Sequence, residues 1–260
     1  MTDITAGSAA IANNGPSAGS DIRVGTVTTT GSQSYTDPNG TTQGFGNLTA
    51  QDNPITFNDS AVVNSGLTVD AGAAFVTFAG SGVQLLTAGS GARFCNVSHT
   101  GTGSLRLNNG LTVTGQLTNT AGIFDANDHG VSVSRLTSVT GGTYLAGTAP
   151  QTFAGGLEVA GGVFTSSSGP MTVAGPIGVT GGLLGGEGTL DSVTALGGIV
   201  APGPVDGPGV LAINGAGQLF LLNDPALSSG RPDTGKRILP ARGLGRRLPL
   251  QQHLELGCRL

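Results

Sequence analysis

The chain has 260 residues and a formal net charge of −4, with 47 Gly, no Trp and only 10% charged residues, against about 25% in an ordinary domain. It is too apolar and too regularly patterned for a disordered chain, whose signature is low hydrophobicity with high net charge. No run of about 18 apolar residues predicts a membrane-spanning helix, and residues 1–20 lack the basic start and apolar centre of a secretory signal.

The charge is split between two unlike pieces. Residues 1–230 carry four Arg and thirteen acids, a net −9, whereas residues 231–260 carry seven basic residues and two acids, a net +5. The long piece has no basic stripe, which argues against a nucleic-acid surface there. Cys95 and Cys258 match neither a disulfide framework nor a zinc pattern.

In chain order, residues 1–24 are small and polar and read as an irregular lead-in. Residues 25–35 (GTVTTTGSQSY) are rich in β-branched residues and predict a strand. Residues 37–40 (DPNG) supply turn chemistry, and residues 41–54 read as a longer loop. Short strands follow at Ile55–Phe57, Leu67–Val69 and Phe75–Phe78, separated by Asn, Asp and Gly.

From Leu111 the sequence repeats. Every twenty residues from Val113 come Val133, Phe153, Val173 and Val193. Eight residues after Val113, Val133, Phe153 and Val173 lies a pair, Ala121-Gly122, Gly141-Gly142, Gly161-Gly162 and Gly181-Gly182. A couple whose second member is apolar or aromatic follows each pair: Phe124, Tyr144, Phe164, Leu184. A fixed period near twenty with strand-type residues predicts stacked coils of a solenoid. Alternation puts Leu157 and Val159 on one face and Glu158 on the other. The Gly pairs predict sharp turns with positive φ. From Ile55 to about Gly215 there is room for about eight coils, a rod roughly 40 Å long. Flanking the Val113 series, Thr112, Ser132, Thr152, Thr172 and Ser192 on one side and Thr114, Ser134, Ala154, Ala174 and Thr194 on the other predict a hydroxyl ladder on an outer face.

The stretches 181–190 (GGLLGGEGTL), 197–203 (GGIVAPG) and 207–213 (GPGVLAI) resemble the passenger-associated repeat of bacterial autotransporters. Residues 25–35 and 111–118 (LTVTGQLT) resemble repeats of filamentous adhesins. The resemblance covers about residues 25–215 and implies an all-β fold, a right-handed parallel β-helix over residues 25–218, exported to the cell surface or secreted. It implies a structural passenger or stalk segment of an adhesin-like protein, without catalysis or cofactor. The partners it implies are surface glycans or further copies meeting through the coil ends. Such passengers start with an export signal and end in a membrane β-barrel, so this chain is expected to be a piece of a longer protein. Residues 219–260, with Pro232, Pro240 and Pro249, show no period and read as a non-repeat tail, disordered or frame-shifted.

Sites with chemistry are sparse. The densest polar cluster is Asp125, Asn127, Asp128 and His129. It could ligate calcium through oxygens, set a carboxylate pair for glycoside cleavage, or form an Asx-rich turn. His99 stands without a partner motif. Residues 185–191 (GGEGTLD) miss the calcium nonapeptide by one position, and residues 230–237 miss the phosphate loop because Arg237 replaces its hydroxyl. Parallel β-helices also include polysaccharide lyases and hydrolases, so a carbohydrate-active protein is the alternative. Residues 25–215 hold only Arg93, Arg106 and Arg135 as basic residues, which speaks against a lyase. No catalytic, cofactor-binding or metal-ligating residue is therefore assigned.

Overall fold

The computed structural model describes residues 3–13, 21–38, 40–44, 46–166, 169–190, 193–202, 211–213 and 219–221. Among them there is no helix. Thirty-two short strands wind into a parallel β-helix with three sheets of 9, 11 and 10 strands and a separate two-stranded sheet. One coil shows the plan. Leu111–Val113 lies in the first sheet, Leu117–Asn119 in the second and Ile123–Asp125 in the third. The next coil repeats this with Val131–Val133, Thr137–Val139 and Thr143–Leu145.

The twenty-residue frame is real through Val173. Val113 pairs with Val133, Val133 with Phe153 and Phe153 with Val173, all parallel in the first sheet. All four are buried. Val193 does not continue the series. Val193–Ala195 joins the second sheet, with Thr194 beside Gly178 and Ala195 beside Val179. The coil has shortened to sixteen residues there, and Gly188–Leu190 pairs with Leu211–Ile213 in the two-stranded sheet instead.

The solenoid also starts earlier than residue 25. In the stretch expected to be an irregular lead-in, Ile4–Ala6 pairs with Val27–Thr29 and Ala9–Ala12 with Gln33–Thr36. Ile22–Val24 pairs with Thr42–Gly44, inside the expected loop 41–54. At the other end, Leu219–Leu221 pairs with Val193–Ala195, so the second sheet reaches into the segment read as tail. Residues 222–260 lie outside the described residues.

Alternation of faces fills the interior. In the first and second sheets most three-residue strands bury both ends and turn the middle residue outward, as in Leu157–Val159. In the later coils of the third sheet the strands are offset by one residue: Phe124, Tyr144 and Phe164 point inward from the second position while their neighbours point out. Register therefore stacks like on like. Phe124, Tyr144 and Phe164 stack with centroids 4.8 and 4.9 Å apart, and Phe153 meets Tyr144 and Phe164 edge-on at 6.1 Å. Tyr35, Phe57 and Phe78 form a second stack at 5.2 and 5.4 Å. Offset stacks of this kind add about 0.5–1.5 kcal/mol per pair to the burial itself.

The glycine pairs sit at the corner between the second and third sheets, and crowding explains them better than backbone angle does. Positive φ occurs at Gly122 and Gly142 but is not the rule at the later pairs. A Cβ on Gly182, like one on Gly142, would lie 2.2–2.3 Å from the carbonyl oxygen of the glycine one coil below, well inside contact distance. The interior aromatic column makes a specific demand. Phe164→Ala should lower unfolding stability by about 3–5 kcal/mol in chemical denaturation; an unchanged midpoint would contradict the stacked core.

Candidate functional site

The polar cluster of residues 125–129 forms the corner between the third sheet and the next strand of the first. Asp125 ends its strand with one oxygen, Oδ1, accepting the Asn127 N–H at 2.8 Å, the pattern of an Asx turn. Its other oxygen, Oδ2, faces the Arg106 Nε at 3.5 Å. Arg106 also donates to the Asn127 Oδ1, and Asn127 Nδ2 donates to the Leu107 carbonyl at 2.8 Å. Asn127 and Asp128 both hold positive φ, 48° and 58°, which Asn and Asp tolerate better than most residues. The Asp128 Oδ1 accepts from both the N–H and the hydroxyl of Thr148, each at 2.8 Å. The Thr148 N–H, then its hydroxyl, hold the Asp128 carboxyl below its ordinary pKa. His129 uses its backbone here: its N–H donates to Ala126 and its carbonyl accepts from Gln151 Nε2.

The cluster is thus a latch between coils. The same device recurs at a different corner. Asp52 has φ 53° and its Oδ1 accepts the Ala73 N–H at 2.7 Å. In both places a left-handed glycine lies on the Asp of the coil before, Gly72 on Asp52 and Gly147 on Asp128, with no space for a Cβ. Asn47 and Asn96 likewise accept backbone N–H groups from Thr68 and Gln116. A side chain repeated at unrelated corners for one backbone bond is serving the stack. Among the described residues, no group of three His, Cys, Asp or Glu is placed to hold a metal ion.

The predicted ladder on the first sheet is present in part. Thr112, Ser132, Thr152 and Thr172 are register partners and all are exposed. Thr114, Ser134, Ala154 and Ala174 run beside them, also exposed. Ser192 lies outside the described residues, and Thr194 belongs to the second sheet. The sequence reading missed a longer ladder there: Ser34, Thr56, Thr77, Ser98, Thr118 and Ser138 are register partners over six successive coils.

Sequence reasoning also missed the interior polar pairs. His99 is fully buried, and its Nδ1 lies 2.8 Å from the Asn119 Oδ1 one coil on. Asn119 Nδ2 donates to the carbonyls of Gly141 and Thr143 at 2.9 and 3.3 Å. Its oxygen is therefore turned to the ring, and Nδ1 carries the hydrogen. His99 Nε2, with Thr137 Oγ1, is buried without a hydrogen-bond partner. Tyr35 donates to Gln33 Oε1 at 2.8 Å and Tyr144 to Gln151 Oε1 at 2.9 Å. Burial raises both phenol pKa values, so these groups hold their protons. Burial, with Asp70 nearby, pushes the Cys95 thiol up to about 11, which leaves it protonated and unreactive at neutral pH.

No protein-family model, curated protein or solved structure matches the chain.

His99 makes the stack acid-sensitive. Burial lowers its pKa below the ordinary 6.5, against a smaller upward push from Asn119. The unfolded chain takes up a proton near pH 6.5 while the folded one resists. Stability is then constant above about pH 6.5 and falls below it, by at most about 1.4 kcal/mol per pH unit, until the folded pKa is passed. His99→Gln keeps an N–H for Asn119 but cannot titrate. Denaturation midpoints measured from pH 7 to 5 should fall more steeply for the wild type than for this variant; equal slopes would contradict the assignment.

Proposed function

We propose that this chain is a structural passenger or stalk segment of a surface-exposed or secreted adhesin-like protein, with no catalytic step of its own. The observation that supports this best is the fate of its densest polar cluster. Asp125 and Asp128 aim their carboxylates at backbone and side-chain donors of their own turn and of the next coil, leaving a rigid surface instead of a pair of free acids. General acid–base work on a glycoside needs two carboxyl groups facing a common open space with unequal proton affinities. In this reading the outer Ser and Thr columns give a regular, hydroxyl-rich surface that spaces and displays, with surface glycans as weak multivalent contacts. Bacterial origin and export rest on the resemblance of residues 181–213 to passenger-associated repeats.

A polysaccharide hydrolysis assay run beside a glycan array separates this from a carbohydrate-active protein. The expected outcome is no turnover of acidic or neutral polysaccharides by the wild type, with Asp128→Ala slightly lowering the denaturation midpoint through loss of its bonds to Thr148 and changing nothing else. Turnover that disappears in Asp125→Asn or Asp128→Asn would overturn the reading.

A further inference from the structure

The three outer faces differ in chemistry. The first and second sheets present hydroxyl columns, whereas the third presents one column that is mainly apolar, beside a second that begins with Leu85. Five large apolar side chains are exposed among the described residues, and four of them, Val83 (67%), Leu85 (39%), Ile123 (39%) and Ile199 (61%), point outward from the third sheet. Val83 and Ile123 share one column, through Ser104, which continues to Ile199. Leu85 and Leu145 share the other, separated by Arg106 and Asp125. An apolar stripe running up one side of a soluble rod marks a surface that another surface covers.

We propose that this face docks a second copy of the chain, flank to flank with the two rods antiparallel. The charges single out that partner. Over these two columns from Val83 to Ala201 there are two charged residues, Arg106 and Asp125, in adjacent coils of one column. A two-fold axis lying in the face, along the strand direction and between those two coils, leaves each column opposite its own copy and reverses the coil order. It sets Arg106 against the partner copy's Asp125, and Asp125 against its Arg106. The same axis sets Leu85 against Leu145 and Ile123 against the small Ser104. A self-complementary patch of this kind is what an isologous contact requires. An axis along the rod through that column would instead bring Arg106 to Arg106 and Asp125 to Asp125, which like-charge repulsion disfavours, and one midway between the columns would set Arg106 against Ser104 and Asp125 against Ile123, leaving both charges unmatched. Arg106 has half its side chain exposed and Asp125 about a quarter, so both remain open to a partner while holding each other.

Sedimentation velocity on the full chain over a concentration series tests this. The wild type should show a monomer–dimer equilibrium. Arg106→Glu alone and Asp125→Arg alone each place two like-charge contacts in the pair and should weaken it by roughly tenfold or more. An equimolar mixture of the two variants restores opposite charges at both contacts and should recover the dimer, as should the double charge swap in one chain. Leu85→Glu, a change at a half-exposed outward position, should weaken the pair too and gives the same reading if a charge variant does not fold. A wild type that stays monomeric throughout overturns the proposal. So does self-association that none of these substitutions alters, or a mixture that does no better than its components.

Discussion

The structure depends on one constraint, that each strand must satisfy its backbone N–H and C=O groups on the coils before and after it. Parallel strands have no other partners here, because among the described residues there is no helix and hardly any pairing outside the three main sheets. Unpaired buried amides are costly, so the chain has to return to the same sheet after a set number of residues. The twenty-residue rhythm is the consequence of that closure. Once it holds, every side chain's neighbours along the rod are the residues one coil away. This is why aromatic rings stack on aromatic rings and hydroxyls line up with hydroxyls. It is also why stability here is a sum over neighbouring coils.

Corners are where the ladder is interrupted, and the sequence spends its polar residues there. Asp52, Asp128, Asn47 and Asn96 each accept a backbone N–H from the following coil. Gly142 and Gly182 let the backbone pass where a Cβ would strike the carbonyl below. At Asp128 the two bonds from Thr148 fix the carboxylate in place and hold its pKa below the ordinary value. The few polar side chains in the interior are paired on the same principle. Gln33 with Tyr35, Gln151 with Tyr144 and Asn119 with His99 bury hydrogen bonds, whereas His99 Nε2 and Thr137 Oγ1 are buried without one, and the burial of His99 makes the stack sensitive to acid.

Much of this was legible in the sequence where the period was constant. Val113, Val133, Phe153 and Val173 announced one inward column, and the residues after the glycine pairs announced another. Val193 was misplaced because the coil loses four residues just there, and a fixed frame cannot follow a change in closure. The strands Ile4–Ala6 and Ala9–Ala12 escaped because they are short and built from Ala, Thr and Ile with little contrast between faces, and Ile22–Val24, although it alternates, is only three residues long. The second hydroxyl ladder was hidden by drift, since its spacing runs from 22 residues between Ser34 and Thr56 to 20 between Thr118 and Ser138. The cluster at residues 125–129 was visible as composition. That its carboxylates point along the rod was not, because composition has no direction. The His99–Asn119 pair was within reach, being two inward positions twenty residues apart.

The most direct test measures the stack itself. With Cys95 and Cys258 changed to Ser, spin labels at Thr5 and Ala174 sit on one outward column of the first sheet at its two ends, eight strand spacings apart. Pulsed electron resonance should give a single narrow distance near 38 Å, from about 4.8 Å per coil. A broad distribution, or a much shorter distance, would contradict coils laid one on another.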